Sequence, residues 1–259
     1  MSDSSVLETV FDFPARSGAS SVMHKGRWYV FGGYQSGYNS DLFEITLEIL
    51  RLKKVNVDAG SKISEREYCG IAVIDTSLYV FGGRNRAGDF NDMYRIQLSL
   101  SPPAWEKMDY ADEDEIPCPR SNFAFGVIDG KFIIFGGRYQ DNYLSDTYEW
   151  DGRWRKIKVA RSPSPRYGCS SATLASGLVI FGGCTGHIRG KYDSVNDLWI
   201  YRSDAWAQVE HFGVTPEPRF FHAGASCNGQ SFVFFGGSTG THVGYGARWA
   251  KNHLEGLNW

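Results

Sequence analysis

Little in this chain points to a covalent or metallic frame. Its five cysteines (Cys69, Cys118, Cys169, Cys184, Cys227) are odd in number and include no C-x-x-C pair. That argues against a disulfide framework and against a zinc finger. No apolar run approaches the roughly 20 residues that span a bilayer. The opening MSDSSVLETVFDF has neither the basic nor the apolar region of a secretory signal. Charge of one sign is missing too: the formal net charge is −2, which does not suit a dedicated nucleic-acid binder. These absences lead to the expectation of a reducing, intracellular setting, cytoplasmic with the nucleus left open.

What the chain does have is aromatic residues (15%) and glycine (30 of 259 residues), the composition of many strands and many tight turns. The length fits one large all-β domain or two small ones. A stretch such as SLYVFGGRNRAGDFNDMY, residues 77–94, raises the question of what its glycine pair does. A pair closing a short apolar run can cradle a phosphate or let a packed sheet turn. The answer lies in repetition. WYVFGG, LYVFGG, FIIFGG, LVIFGG and FVFFGG end at Gly33, Gly83, Gly137, Gly183 and Gly237, spaced 50, 54, 46 and 54 residues apart. A phosphate loop occurs once per site and opens a helix, whereas these five copies each close a strand. The phosphate reading fails, and the period is that of a repeat protein.

Other landmarks keep step. Arg16, Arg66, Arg120, Arg166 and Arg219 precede the first glycine of each pair by 16 residues in four copies and 17 in the fifth. Between them lie an apolar stretch and a turn such as HKGR, IDGK or CNGQ, the chemistry of a β-hairpin. After the glycines come a polar loop of variable length and an Asp-led start, at Asp41, Asp92, Asp146 and Asp197. Trp105, Trp154 and Trp206 follow in three copies. Each unit is therefore four short strands in about 50 residues, and such sheets bury both faces only when stacked on one another.

This pattern resembles the Kelch-repeat family, and the resemblance covers Arg16 to Trp259. The mix PRYGCSSATL, LVIFGGCTG and NDLWIY is most similar to intracellular Kelch proteins of the leucine-zipper-like regulator kind. The resemblance implies an all-β fold, a β-propeller with five recognisable four-stranded blades in a single domain over residues 1–259. It places the glycine pairs at the crowded axis, where a side chain would clash with the next blade. Two forms of ring fit the ends. Either residues 5–10 complete the last blade of a five-bladed ring, or the five blades belong to a larger, six-bladed one. In the degenerate fifth copy, Trp249 is expected in the third-strand aromatic slot and Trp259 at the start of the fourth strand.

The resemblance also places the repeated arginines and the loops after each glycine pair on one face, where related domains bind peptides. The repeated arginines have two readings: they bind a partner, or they tie neighbouring blades together through backbone carbonyls, and repetition favours the second. The variable loops are the better functional candidates. The expected partner-binding residues are Tyr34, Arg84, Arg86, Arg138, Tyr139, His187 and Arg189, because arginine with aromatics is the composition of protein-binding hot spots. An acidic or phosphorylated peptide is the expected ligand, since guanidinium grips such groups through paired hydrogen bonds.

Enzymatic readings have less support. Cys69, Cys169 and His222 each fall three residues after a repeated arginine and together have zinc-ligand chemistry, but blades 2, 4 and 5 distribute them around a ring. Galactose oxidase and the plant specifier proteins are Kelch-type propellers with metal sites, yet no Glu-x3-Asp-x3-His spacing and no histidine pair on a shared strand occurs here. The acidic run 109–115 and the basic run 153–161 read as solvated outer edges. The expectation is an interaction module, not an enzyme, with no metal or cofactor; propeller enzymology or a carbohydrate-related activity is the alternative.

Overall fold

The computed structural model describes residues 13–111, 115–188, 191–210, 215–242, 247–249 and 255–257. Residues 5–10, Arg189, Tyr245 and Trp259 lie outside them. Every regular element among the described residues is a strand, and no helix there is long and apolar enough to cross a membrane.

Four antiparallel blades each have four strands in chain order. Blade 1 is Ser20–His24, Arg27–Phe31, Leu42–Thr46 and Arg51–Lys54. Blade 2 is Gly70–Ile74, Ser77–Phe81, Met93–Gln97 and Trp105–Lys107. Blade 3 is Ala124–Ile128, Lys131–Tyr139, Asn142–Trp150 and Trp154–Ile157. Blade 4 is Ser170–Leu174, Gly177–Phe181, Leu198–Arg202 and Ala205–Val209. The first hairpin of a blade closes as its turn sequence dictates. Lys25-Gly26 and Asp129-Gly130 are two-residue turns with positive φ at both positions (48° and 74°, 50° and 73°), the twist-matched hairpin turn.

The fifth unit departs from the expectation. Ala223–Cys227 and Ser231–Phe235 pair as foreseen, but the third strand is Glu255–Leu257. Ala247–Trp249 instead pairs with Ser238–His242 as a hairpin in the loop after Gly237, so Trp249 is not in the third strand. The loop takes this segment because its strand partner there is the other arm of the same hairpin, a closer neighbour in sequence than the blade.

Successive blades share a core. Tyr29 and Phe31 of blade 1 pack against Ile71, Leu78, Val80 and Trp105 of blade 2, and the pattern repeats at the next three junctions. The second strand of an inner blade is therefore covered on both faces, which is why LVIF (Leu178–Phe181) is a continuous apolar run, all four side chains at most 1% exposed. The tryptophan opening the fourth strand, or next to its start, reaches back to the phenylalanine before the previous glycine pair. Ring centroids lie 5.4 Å apart for Phe31–Trp105, 4.6 Å for Phe81–Trp154 and 4.8 Å for Phe135–Trp206.

The glycine pairs sit at the same junctions. Both glycines of Gly82-Gly83 have positive φ, 62° and 89°. A Cβ on Gly82 would lie 2.8 Å from the Arg120 carbonyl of blade 3, and the Gly83 N–H donates to that carbonyl at 2.9 Å. The same bond joins Gly33 to Arg66, Gly137 to Arg166 and Gly183 to Arg219. Only glycine allows both the φ and the approach.

Candidate functional site: the loop face

The repeated arginines come first because they build this face without being presented on it. Arg66, Arg120 and Arg166 are at most 1% exposed. Each donates Nε to the carbonyl two residues before it and Nη1 to the carbonyl of the first glycine of its own blade. Each also grips the aspartate before the third strand with both terminal nitrogens: Arg66–Asp92 at 2.6 and 3.2 Å, Arg120–Asp146 at 2.7 and 3.2 Å, Arg166–Asp197 at 2.5 and 2.9 Å. Arg219, without an aspartate, and half-buried Arg16 keep the carbonyl bonds. The arginine side chain thus locks the strands of its own blade, and its backbone carbonyl, not its guanidinium, joins the neighbouring blade. Burial alone would raise the Asp197 carboxyl, but the Arg166 hydrogen bonds and charge outweigh it and hold the group below its ordinary value.

Two rings of residues stand above this frame. The residue after each arginine forms an isolated bridge with the residue after the glycine pair: Ser17 with Tyr34, Glu67 with Arg84, Ser121 with Arg138, Tyr167 with Cys184, Phe220 with Ser238. These bridges set the outer ring. One residue further on is the inner ring, Gly18, Tyr68, Asn122, Gly168 and Phe221, all at φ between 54° and 65°. Their amides hand hydrogen bonds from blade to blade: Tyr68 to Gly18, Asn122 to Tyr68, Gly168 to Asn122 and Phe221 to Gly168, at 2.7–3.1 Å. Positive φ on an aromatic residue is unfavourable and is held here by that chain of bonds. Because Gly18 and Gly168 have no side chain, Tyr68 and Phe221 stack across the axis, centroids 5.6 Å apart and planes 24° from parallel.

Blades 2 and 3 make a charged half. Arg84 and Arg138 line one cleft of about 210 Å3 with Asn85, Asp89, Ser121, Gln140 and Asp141. Arg84 is paired with the buried carboxylate of Glu67 at 3.0 Å and lies over the Tyr68 ring. Arg138 bonds the Gln140 carbonyl and touches Asp141 at 3.4 Å, an aspartate fully in solvent. Asp89 is held by the Ser121 hydroxyl at 2.8 Å. Arg86 is exposed and has no ion pair among the described residues. Tyr139 is half-buried beside Arg138.

Blades 4 and 5 make an aromatic half. Tyr143, from the third strand of blade 3, joins Tyr167, Phe220, Phe221 and Tyr192 in a chain of ring contacts with centroid separations of 5.0–6.2 Å, and His187 stacks on Tyr192 at 4.4 Å. Burial pushes the Tyr167 phenol far above its ordinary value. Tyr34, on blade 1, is exposed and packs edge-on against Tyr38 at 5.2 Å. The expected residues therefore fall into separate places: Arg84, Arg86, Arg138 and Tyr139 gather at one junction, His187 joins the aromatic half, Tyr34 stands apart, and Arg189 lies outside the described residues. Sequence reasoning missed Tyr68, Tyr167, Phe220 and Phe221. Their signal was the two slots after each arginine, where large aromatics replace the small residues of blade 1.

Cys69, Cys169 and His222 line the rim of the opening beneath the Tyr68–Phe221 stack. They act as packing groups there. Ser20 donates to the Cys69 carbonyl, Ser170 Oγ and His222 Nε2 are 2.6 Å apart, and burial raises the Cys169 thiol to about 11 and lowers His222 to about 3. Among the described residues no group of three His, Cys, Asp or Glu side chains is placed to hold a metal ion. At the rim of blade 3 the acidic and basic runs meet: Glu115 accepts from the Lys156 amide at 2.8 Å, and Arg155 pairs with Glu149.

This chain is 33% identical over 161 residues, 57% of its length, to the flagellar outer-arm dynein alpha chain of Chlamydomonas reinhardtii. It is 29% identical over 250 residues (85%) to host cell factor of Drosophila melanogaster, and 25% over 265 residues (86%) to Kelch domain-containing protein 2 of Bos taurus. It spans 3%, 16% and 63% of those proteins' own lengths. The solved structure of YjhT superposes with a TM-score of 0.68 at 15% identity, covering 93% of this chain and 80% of that one, a likeness of fold. The family model for the KLHDC2/KLHL20/DRC7 Kelch-repeats domain matches residues 4–151 and again 98–250. With that match over most of its length and the repeat geometry described above, the chain belongs to the Kelch-repeat family and is a β-propeller of that type.

Proposed function

We propose that the loop face docks a protein partner, and that a peptide with an acidic or phosphorylated residue seats that group between Arg84 and Arg138. The observation that carries this reading is the cleft between blades 2 and 3, where two guanidiniums from equivalent slots of adjacent blades face one space. Arg84 spends Nε and Nη2 on Glu67 and keeps Nη1 free of that pair. Arg138 gives up little by leaving Asp141, because water screens an ion pair to a fully exposed carboxylate. A ligand carboxylate or phosphate held between both arginines gains charge-assisted bonds from a preset frame. Asp89, fixed by Ser121, sets a limit on how much negative charge the cleft takes. The aromatic half beyond the axis suits an apolar side chain of the same ligand.

Guanidiniums, carboxylates and packed rings are the chemistry of recognition, and the face supports binding over catalysis. The five cysteines are unpaired, in keeping with a cytoplasmic or nuclear protein. The test is a peptide library with phosphoserine, glutamate or serine at one fixed position. Phosphoserine and glutamate members should be enriched over serine. Arg84→Ala with Arg138→Ala should weaken them by about 1.5–3 kcal/mol per lost charge-assisted contact, roughly tenfold or more each, and added salt should do the same. Equal capture of all three members would remove the acidic-ligand reading; capture indifferent to both substitutions would remove the site.

A further inference from the structure

The segment that carries the chain from blade 3 into blade 4 reads Arg-Ser-Pro-Ser-Pro-Arg, residues 161–166. It holds two of the four places where a serine or threonine precedes proline; the others are Ser101 and Thr215. A residue before proline is held extended. From Lys158 to Pro165 no backbone N–H donates to another backbone group among the described residues, so this stretch belongs to no sheet. Its two serines differ. Ser162 is half-buried, its hydroxyl donates to the Ser145 carbonyl of blade 3 at 3.0 Å, and Pro163 after it is buried. Ser164 and Pro165 are both exposed.

The Ser164 hydroxyl has a cation waiting beside it. It accepts from Nη2 of Arg166 at 2.9 Å, and among the described residues no other of the four proline-preceding hydroxyls meets a guanidinium. That nitrogen is shared, since it also donates to Asp197 Oδ2 at 2.9 Å. The slot two residues before the repeated arginine holds Ser64, Cys118, Ser164 and Glu217 in blades 2 to 5. Blades 2, 3 and 4 combine a neutral residue there with Asp92, Asp146 or Asp197, whereas blade 5 has Glu217 and no aspartate after Asp204. An acid thus occupies one slot or the other beside each of these arginines. A phosphate on Ser164 would fill both in blade 4.

We propose that Ser164 is phosphorylated by a proline-directed protein kinase, and that its phosphate competes with Asp197 for Arg166. In the transfer, Ser164 Oγ bonds the γ-phosphorus of a nucleoside triphosphate and the bond from that phosphorus to the bridging oxygen breaks. The nucleoside diphosphate leaves, and the hydroxyl proton passes to the kinase's catalytic carboxylate. The phosphate carries a charge of about −1.5 to −2 at pH 7. Its ester oxygen starts 2.9 Å from Nη2, so it takes that bond from Asp197. Asp197 keeps Nη1 at 2.5 Å and the Trp199 indole N–H at 2.7 Å, but it then faces a second anion across a guanidinium only 1% exposed. The tie that loosens fixes the start of the strand Leu198–Arg202 and the end of the loop carrying His187 and Tyr192. The site lies apart from the cleft between Arg84 and Arg138 and stands whether or not that cleft binds an acidic ligand.

The test has two arms. In the first, the full folded chain and its Ser164→Ala variant are incubated with ATP, magnesium and two proline-directed kinases, one cyclin-dependent and one mitogen-activated. Mass spectrometry should find phosphate at Ser164, several-fold more than at Ser162, and none at position 164 of the variant. Phosphate at Ser162 alone, or none on the folded chain with either kinase, overturns the proposal. In the second arm, phosphoserine is placed at position 164 during synthesis of the parent chain and of Asp197→Asn. It should lower Tm by several degrees in the parent, where two acids contend for Arg166, and raise it in Asp197→Asn, where it supplies the missing acid. Any result other than opposite signs overturns the competition. Should Asp197→Asn fail to fold, the Trp199 indole N–H resonance decides in its place: it should move in the phosphorylated parent as Asp197 shifts, and an unmoved resonance overturns the proposal.

Discussion

Gly82→Ala and Gly236→Ala form a matched pair that isolates the cost of contact between blades. Both glycines open a Gly-Gly pair and both have positive φ, 62° and 75°. Forcing alanine into that region costs about 1–2 kcal/mol at either site. At Gly82 the new methyl also lies 2.8 Å from the Arg120 carbonyl and 3.0 Å from the Phe123 ring. Overpacking of that kind costs about 1–3 kcal/mol, and stretching the bond from Gly83 to Arg120 forfeits about 0.5–1.5 kcal/mol more. At Gly236 neither addition applies, because the space is open. The extra penalty at Gly82 is thus roughly 2–4 kcal/mol, a Tm separation of roughly 5–15 °C for a domain of this size. Circular dichroism melts of the two variants beside the parent chain measure it. Equal Tm losses would refute the reasoning, since the φ term would then be the whole effect and the inter-blade clash none of it.

The buried imidazole of His222, lowered to about 3 by burial and by Arg219, stays neutral while the unfolded chain's histidine takes up a proton near pH 6.5. Its folded value is depressed, so stability should fall by up to about 1.4 kcal/mol per pH unit from about pH 6.5 towards 3; urea titrations of the parent and His222→Gln at pH 7, 5 and 4 should show the variant with the shallower slope. Asp197→Asn should cost about 3–5 kcal/mol, because it leaves the Arg166 guanidinium, 1% exposed, without its charge partner. The lowered Asp197 value also places that stabilisation above the ordinary carboxylate pKa, to be lost as pH falls through the folded one; an acid-unfolding midpoint unchanged by the substitution would contradict this. The Tyr68–Phe221 stack should give a coupling of about 0.5–1.5 kcal/mol in a double-mutant cycle to alanine, and zero coupling would show that the two rings merely adjoin.

Period, strand order and turn type were legible in the sequence because each is set by local chemistry. An apolar run bounded by Lys25-Gly26 or Asp129-Gly130 folds back on itself whatever surrounds it. Five glycine pairs in register with five arginines required stacked sheets, and the unbroken apolar second strands required cover on both faces. The same local logic misplaced Trp249, since an aromatic residue at roughly the right distance does not say which strand will pair with it; the hairpin of the fifth loop took it instead. The reach of the arginines was also beyond the sequence. Their repetition marked them as architectural, but whether a guanidinium spans to the next blade or folds back onto Asp92, Asp146 and Asp197 depends on distances that exist only after the blade has formed. The loop face needed the ring itself. Arg84 and Arg138 are 54 positions apart, and Tyr68 and Phe221 lie on blades 2 and 5; only the circular stacking of blades brings the first pair to one cleft and the second across the axis. A repeat sequence determines what each blade is. Which side chains then meet is decided by rotation from one blade to the next, a property of the packed interfaces and of no single repeat.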